Sequence, residues 1–510
     1  MQIIKTESLD PSSLSADYNH WIYNGLDCCV TYEVFNNLYP MLDDQSSSIY
    51  NFSKELQAPV LEMVLRGILV NQNRRRRVVK EMKEKMSRLE NNLFLILKEG
   101  IGVENFNWRS PDQVGKLFYN VMNLPVQKGR KQDGSYGPTT DRKALEKLQK
   151  YFIAEPIINH ILALRDLGKS IGFLETSMDA DGRMRSELRI AGTVTGRLSS
   201  SISEYGTGTN LQNVTESLRS IFVADPGYKF CNVDLEQGDS RNVGALCWEL
   251  FVDHPDWTEA TAGSYLDACE SGDLHTTVAR LAIPNLPWGT APDREIAETV
   301  FYRHYSYRFM CKKVGHGSNY LGKPPTIAAQ TKLPIADIKT FQEKYFEAFP
   351  CIPAWHQNVR DEIENYHQLT NLFGRRRYFA GRASEEATIR EAVAQQGQSM
   401  TSDEINRGLL QLWRANRVQL LMQVHDSVLF QYPEEMEDEI VPWALEVMKV
   451  KLNLKKGREF FVPLEAKVGW NWGEFSDDNP DGLIKYKGHD KRSRTEKDIK
   501  LSLVSYAQTS

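Results

Sequence analysis

Residues 418–424 (VQLLMQV) are apolar and β-prone, and Val428-Leu-Phe430 resumes the pattern after a polar tip. Pro433 then ends the run. Two such runs separated by a short polar break predict a tight hairpin. Its tip carries His425 and Asp426, flanked by Val424 and Ser427. By itself His425-Asp426 is compatible with an ordinary turn dipeptide. A second acid, Asp234, ends another apolar run, Phe230-Cys-Asn-Val-Asp234. Two carboxylates on rigid strands are what two-metal phosphoryl transfer requires, with metals ~4 Å apart readying the attacking oxygen and holding the leaving one.

The strands bearing these acids are separated by a large, helix-prone insertion. That predicts an α+β chain: an antiparallel sheet, helices on one side, and a helical lobe growing out of it. A chain of 510 residues is too long for one core and predicts several domains. Helical patterns run over about 52–66, 73–98 and 141–177, interrupted by a glycine-rich loop at 128–137. Residues 183–236 read as strands. Further helices are expected at 239–252, 291–320, 341–363, 401–415 and 435–452, and a closing strand at 462–468. The polar tail after Glu474 is expected to be flexible, although Leu501 to Tyr506 could dock.

Composition removes several classes. No run of eighteen apolar residues suggests a membrane span, and the N-terminus lacks a signal-peptide pattern, so a cytoplasmic protein is expected. Seven scattered cysteines show no zinc spacing and read as reduced thiols. No phosphate-binding P-loop motif occurs. The net charge of −5 argues weakly against nucleic acid, but its distribution matters more. Arg303, Arg308, Lys312, Lys313 and Lys323 follow one another with no acid between, as do Arg375, Arg376, Arg377 and Arg382. The run Arg74–Arg77 reads either as a solvated helix face or as a phosphate contact.

Arg308, Lys312, His316 and Tyr320 recur in steps of four, which places them along one side of a helix. Potential cations followed by an aromatic ring suit a triphosphate followed by a sugar and base. The alternative is a solvated basic helix with Tyr320 buried.

These motifs, in this order, resemble the family A DNA polymerases over about residues 50–474. Asp234-Leu-Glu-Gln-Gly-Asp239-Ser-Arg241 resembles the family's motif A. The resemblance makes Asp234 a ligand of both metals and Asp239 the carboxylate that blocks a ribose 2′-OH, where the family usually has the longer Glu. The helix with Arg308, Lys312, His316 and Tyr320 resembles motif B, implying triphosphate binding by Arg308 and Lys312. His316 stands at a nucleotide-facing position where Phe or Tyr is frequent, Tyr320 beside the templating position, and Leu321 where Gly is common. Val424-His425-Asp426-Ser427 resembles motif C, making Asp426 the second metal ligand and His425 a primer contact, with Ser427 in place of the usual Glu. Thr193-Val-Thr-Gly-Arg197 and Asn210-Leu-Gln212 resemble primer–template contacts, and Gln396-Gly397 resembles the element whose Gln joins Arg197 in the minor groove. The spacer 201–208 is longer than expected. Phe373-Gly-Arg-Arg-Arg377, Phe106-Asn-Trp-Arg-Ser-Pro and Gly469-Trp-Asn-Trp472 also resemble family segments.

The resemblance therefore implies a right-hand polymerase: thumb 50–180, palm 181–242 and 396–474, fingers 243–395, polar tail 475–510. It implies template-directed addition of dNTPs to a primer 3′-OH with two Mg²⁺ ions, for which Mn²⁺ can substitute. Asp234, Asp426 and Lys312 would be the catalytic groups. Arg165 and Lys169, on one face of a thumb helix, would touch the duplex backbone. A single-subunit RNA polymerase and a DNA-binding scaffold are the alternatives; Asp239 argues against the first, and Asp234, Asp426, Arg308 and Lys312 together against the second. Tyr23-Asn-Gly-Leu-Asp27 resembles the last motif of a 3′–5′ exonuclease, so residues 1–45 read as the C-terminal fragment of such a domain: a relic, a truncation, or half of an enzyme completed by a separate chain. A monomeric polymerase core from a bacterial cell or a phage-infected host is expected.

Overall fold

The computed structural model describes residues 15–130, 134–203, 206–490 and 492. The site is built on a five-stranded, wholly antiparallel sheet. Its order is Gln419–Val424, Ser427–Pro433, Tyr228–Leu235, Leu464–Gly469 and Ile484–Lys485. The expected hairpin forms, with Val424 paired to Ser427 across the turn. Tyr228–Leu235 is the central strand, and its Phe230, Cys231, Val233 and Leu235 are buried by neighbours on both sides. Phe230, Cys231 and Val233 are fully buried on it, as are Val428, Phe430 and Val468 on its neighbours. The helices Gly238–Phe251, Glu386–Ala415 and Glu437–Val447 supply the covering core. The mixed α+β architecture expected from the sequence is the one observed.

A second, separate core lies between the helices Gln72–Ile101 and Glu155–Leu174. Leu93, Leu97, Phe118, Leu145, Ile158 and Ile161 form it. The lobe between Asp234 and Asp426 is mainly helical, as expected, but its boundaries differ in instructive ways. Residues 291–320 are not one helix. A short hairpin, Val300–Tyr302 with Tyr305–Ser306, turns at Arg303 (φ 53°) before the helix Tyr307–Asn319 starts. The aromatic and β-branched residues there favour the strand, and Ser306 caps the helix by accepting from the Phe309 N–H at 3.1 Å. Pro350 breaks the expected 341–363 helix into Ile335–Ala348 and Cys351–Tyr366. The helix expected at 401–415 begins much earlier, as Glu386–Ala415. Its first half is rich in Gln, Ser and Thr, which hides it from an apolar-periodicity reading.

Residues 475–490 also depart from expectation: they are docked, not loose. Asp490 and Glu437 both accept from Lys229 Nζ, at 2.8 and 2.6 Å, with all three side chains at most 4% exposed. The ammonium sits 4.3 Å from the Trp470 ring centre. Burial alone would push the Asp490 carboxyl up, but hydrogen bonds from Arg492 and Lys229 outweigh it and hold the group down at about 2. Leu501 to Tyr506 lie outside the described residues.

Lys229→Met would leave Glu437 buried without its cation and Asp490 with Arg492 alone. The expected cost is roughly 3–5 kcal/mol, read as a lowered urea midpoint at unchanged slope. Because Asp490 titrates below its unfolded value of about 3.9, its contribution is complete above about pH 4 and is lost as pH falls toward 2. The difference between parent and variant should therefore narrow in acid; a gap constant from pH 7 to 3 would count against this account.

Candidate active site

Asp234 closes the central strand and Asp426 sits in the neighbouring turn. The Leu235 N–H donates to the Asp426 carbonyl at 3.1 Å, which pins the turn against the end of that strand. His425 takes the strained conformation at the tip, with φ 55°. Its carbonyl accepts from Gln423 Nε2 at 2.5 Å, and Ser427 Oγ donates to the Val424 carbonyl at 3.0 Å. Ser427 thus braces the turn and brings no charge.

Burial, then the Asp426 charge, raises the Asp234 carboxyl to about 7; Lys467 opposes this and Glu465 adds to it. Glu465 is the direct cross-strand partner of Asp234 and is ion-paired with Lys485. Burial also raises Asp426, against a hydrogen bond from its own backbone and with Asp239 adding repulsion. Among the described residues neither Asp234 nor Asp426 makes a salt bridge. No group of three or more His, Cys, Asp and Glu is placed to hold a metal among those residues. Such a pair still fits Mg²⁺, which is ordinarily held by one or two carboxylates with waters and substrate phosphates rather than by an all-protein cage. Two half-buried carboxylates whose burial and mutual repulsion outweigh the nearby cations are the environment a hard dication relieves.

Asp426 opens onto a cleft of about 460 Å³. Asp239, Arg308, Lys312 and His316 line it, as the steps of four required. Lys312 is exposed. Arg308 is already engaged: its fork meets Asp273 at 3.0 and 3.1 Å, and Glu298 lies 3.5 Å away. The hydrogen bonds it donates to Asp273 hold Arg308 firmly charged, and Asp273 in turn is held at about 2 despite burial. An anion entering the cleft would have to exchange with these acids. His316 opens to solvent, yet the surrounding protein lowers its pKa; Asp239 works in the opposite direction.

Tyr320 lies behind the cleft, its ring edge-on to His316 at 5.0 Å between centres. Its hydroxyl is buried without a hydrogen-bond partner. A Cβ at Gly397 would stand 2.9 Å from that hydroxyl, so glycine there makes room for the ring. Leu321 follows with φ 56°, which accounts for glycine being common at the matching family position.

Two lining residues escaped the sequence reading. Gln237, at φ 57°, starts the helix Gly238–Phe251 and leaves Oε1 buried without a partner. His275 begins the helix Leu274–Ala282; burial first, then Arg308 and Lys312, push it down to about 4. Helical periodicity could not reveal that His275 meets a helix beginning at residue 307, whereas Gln237 lay within a quoted motif.

Arg197 lies close enough to Asp426 and Tyr320 to affect both electrostatically. Gly196 (φ 82°) presses against Arg375, which is bidentate to the fully buried Asp403, so the Thr-Gly-Arg turn is anchored to the long helix. Asn210 exchanges two hydrogen bonds with Ser200, and Gln212 donates to Gln423 at 3.1 Å. Gln212 thus braces the strand that leads into the turn carrying His425, which is exposed.

Gln396 is not brought to the site. It is 6% exposed, accepts from Trp355 Nε1 at 2.7 Å and donates to the Thr370 carbonyl. Gly397 and Thr401 mark the face of that helix turned toward Tyr320 and Asp239. Gln398, partly exposed, shares that face, and Gln396 lies on the other. Arg165 and Lys169 belong to the second lobe. Arg165 Nη1 donates to the Thr140 carbonyl at 2.6 Å, and Lys169, one turn on, is exposed. Tyr23 and Asp27 are exposed on the helix Ala16–Leu38.

The family model for DNA polymerase family A matches residues 72–474. The thermostable DNA polymerase I of Thermus aquaticus is 24% identical over 459 residues, covering 86% of this chain and 49% of that protein. DNA polymerase I of Deinococcus radiodurans is 27% identical over 467 residues, covering 87% of this chain and 44% of that protein. The chain spans about half the length of the curated relatives it matches. Among solved structures, the POL domain of Pol1 from M. smegmatis, in complex with DNA primer-template and dNTP, superposes with a TM-score of 0.64 at 24% identity, covering 82% of this chain and 69% of that one. That likeness shows the fold. No described helix is long and apolar enough to cross a membrane.

Proposed function

Because the chain belongs to DNA polymerase family A, we propose that it extends a DNA primer on a template, joining incoming dNTPs to the primer 3′-OH. The observation that carries this reading is the placement of Asp234 at the end of the central strand beside the turn that carries Asp426, with Asp426 on a cleft lined by Arg308, Lys312 and His316. Anionic ligands at one side and cations at the other suit a metal-bound triphosphate. A scaffold protein would gain nothing from two half-buried carboxylates that repel DNA phosphate.

Asp234 and Asp426 would hold two Mg²⁺ ions, with Mn²⁺ able to substitute. Bound there, the ions would supply Lewis-acid stabilisation of the attacking and departing oxygens. Arg308 would trade Asp273 for a phosphate fork, and Lys312 would neutralise or protonate the leaving pyrophosphate. His316 and Tyr320 would face sugar and base, and Asp239 would exclude the 2′-OH. Arg197 and His425 would meet the duplex near its primer end, with Gln398 rather than Gln396 as the helix's amide toward it. Asn210 and Gln212 would act mainly by holding that surface. Lys169, with Arg165 behind it, would make sequence-blind, salt-sensitive backbone contacts.

The separate core between Met86 and Ile171 supports a thumb within 50–180, although Val60, Met63, Ile68 and Val70 pack into the core of the proposed palm, 181–242 with 396–474, and the helical lobe at 243–395 would be the fingers. The helix Ala16–Leu38 exposes Trp21, Tyr23, Val30, Tyr32, Phe35 and Leu38, a surface that a separate exonuclease-type chain would cover. The proposed setting is the cytoplasm of a bacterial or phage-infected cell, in DNA replication or repair.

The test is incorporation on primed DNA with dCTP and CTP in competition. The expected result is metal-dependent extension strongly favouring dCTP. Equal use of CTP would move the assignment to an RNA-synthesising enzyme, and no incorporation of either would overturn it.

A further inference from the structure

Asp239 is one methylene shorter than the glutamate usual at its position, so something else must determine where its carboxylate stands. Thr401 Oγ1 donates to Asp239 Oδ1 at 2.7 Å. The direction of this bond is set from behind. Asn242 Nδ2, an obligate donor, gives one hydrogen to Thr401 Oγ1 at 3.1 Å and the other to Glu404 Oε2 at 2.9 Å. A hydroxyl has one proton; with a lone pair occupied by Asn242, that proton is left for Asp239 or for the Gly397 carbonyl, which is farther away at 3.2 Å. The charged and nearer acceptor wins. Thr401, Asn242 and Glu404 are each at most 3% exposed, so the chain of bonds cannot swing. The threonine methyl lies 3.4 Å from a Cβ position at Gly238, next to Asp239 itself, and keeps the rotamer.

The same arrangement accounts for Tyr320. Its buried hydroxyl faces Asp239 without completing a well-formed hydrogen bond. The short carboxylate is drawn toward the long helix, and its contact with the tyrosine is the poorer of the two.

We infer that Thr401 is the positioning residue of the sugar gate: its hydroxyl holds the Asp239 carboxylate at the floor of the cleft, where a 2′-OH would have to displace it. This rests on the polymerase reading above. With the tether present, Asp239 excludes ribose from a fixed position. Without it, the side chain can rotate aside, and ribonucleotides are admitted.

The experiment uses the full chain and five proteins: parent, Thr401→Val, Thr401→Ala, Thr401→Ser and Asp239→Ala. Each is measured by rapid quench for incorporation efficiency of dCTP and of CTP opposite template dG. Losing one charge-assisted hydrogen bond corresponds to roughly a tenfold or larger change in an equilibrium. Thr401→Val is therefore expected to lower the dCTP/CTP ratio about tenfold, mainly through better use of CTP, and Thr401→Ser, which keeps the hydroxyl, to restore it. Thr401→Ala covers the case in which the valine methyl cannot be accommodated against the carboxylate, and should lower the ratio likewise. A valine or alanine variant as selective as the parent, while Asp239→Ala loses selectivity, overturns the role of Thr401 and leaves the gate standing. Loss in Thr401→Val that serine does not restore also overturns it, since that is a packing effect. An Asp239→Ala variant as selective as the parent removes the gate, and a parent that incorporates neither nucleotide removes the polymerase reading on which both depend.

Discussion

Asp234→Asn or Asp426→Asn is expected to abolish primer extension in Mg²⁺, a loss of roughly 10⁴-fold or more, the scale seen when one member of a concerted catalytic unit is removed. Primer–template affinity should stay within about tenfold, because backbone contacts spread over the duplex dominate it. The asymmetry follows from where charge appears. Metal ligands act on the transition state, where the attacking and leaving oxygens carry new charge, and not on a duplex already bound elsewhere. Asparagine preserves shape. It also relieves the burial of charge and the Asp426 repulsion that together raise the Asp234 carboxyl to about 7. Thermal stability should therefore hold or rise in the variants, which separates lost chemistry from lost folding. Near-parental single-turnover rates in both variants would sink the assignment of these residues.

Lys312→Ala is expected to lower the incorporation rate at saturating dNTP by about 10²- to 10³-fold, the effect of deleting one preorganised charge at a developing anion. Its exposed ammonium makes no ion pair among the described residues and so would be available to an incoming phosphate. Arg308→Ala should differ in kind. Arg308 is bound to Asp273 and Glu298 in the free protein, so its loss frees two acids beside the cleft as well as removing a phosphate fork. Nucleotide affinity should fall along with rate. Pre-steady-state titration of dNTP separates the two parameters. Unchanged rate and affinity in both variants would show that this helix face does not hold the nucleotide.

Much of the site was legible because its residues sit on short, regular elements. A step of four could only place Arg308, Lys312 and His316 on one helix face, and they line one cleft. Two apolar runs bordered by acids read as strands, and Asp234 ends one while Asp426 sits in the turn beside it. The antiparallel sheet with an inserted helical lobe followed from the order of those patterns. Where the reading failed, the local signal was weak or contradicted by burial. A run of Gln, Ser and Thr with a central glycine does not announce a helix, yet Glu386–Ala415 is one, and it buries Gln395, Ser399, Thr401, Ser402, Asp403 and Glu404. Those polar groups are tolerated inside because they bond to one another and to Asn242, Asn371 and Arg375. No one-dimensional pattern encodes such pairings.

Gln396 and Gln398 make the distinction concrete. The sequence by itself determined that a glutamine-rich element would lie near the catalytic acids. Only the tertiary structure decided that Gln396 turns inward to Trp355 while Gln398 shares the face of Gly397 and Thr401. Asp239 divides in the same way. Its identity and its spacing from Asp234 were written in the chain. Its tether to Thr401, 162 residues away, and the unpaired hydroxyl of Tyr320 were not. The physical reason is range: hydrophobic periodicity and turn chemistry act over a few residues and survive as patterns, whereas a hydrogen bond between distant residues exists only once packing has brought a particular donor to a particular acceptor.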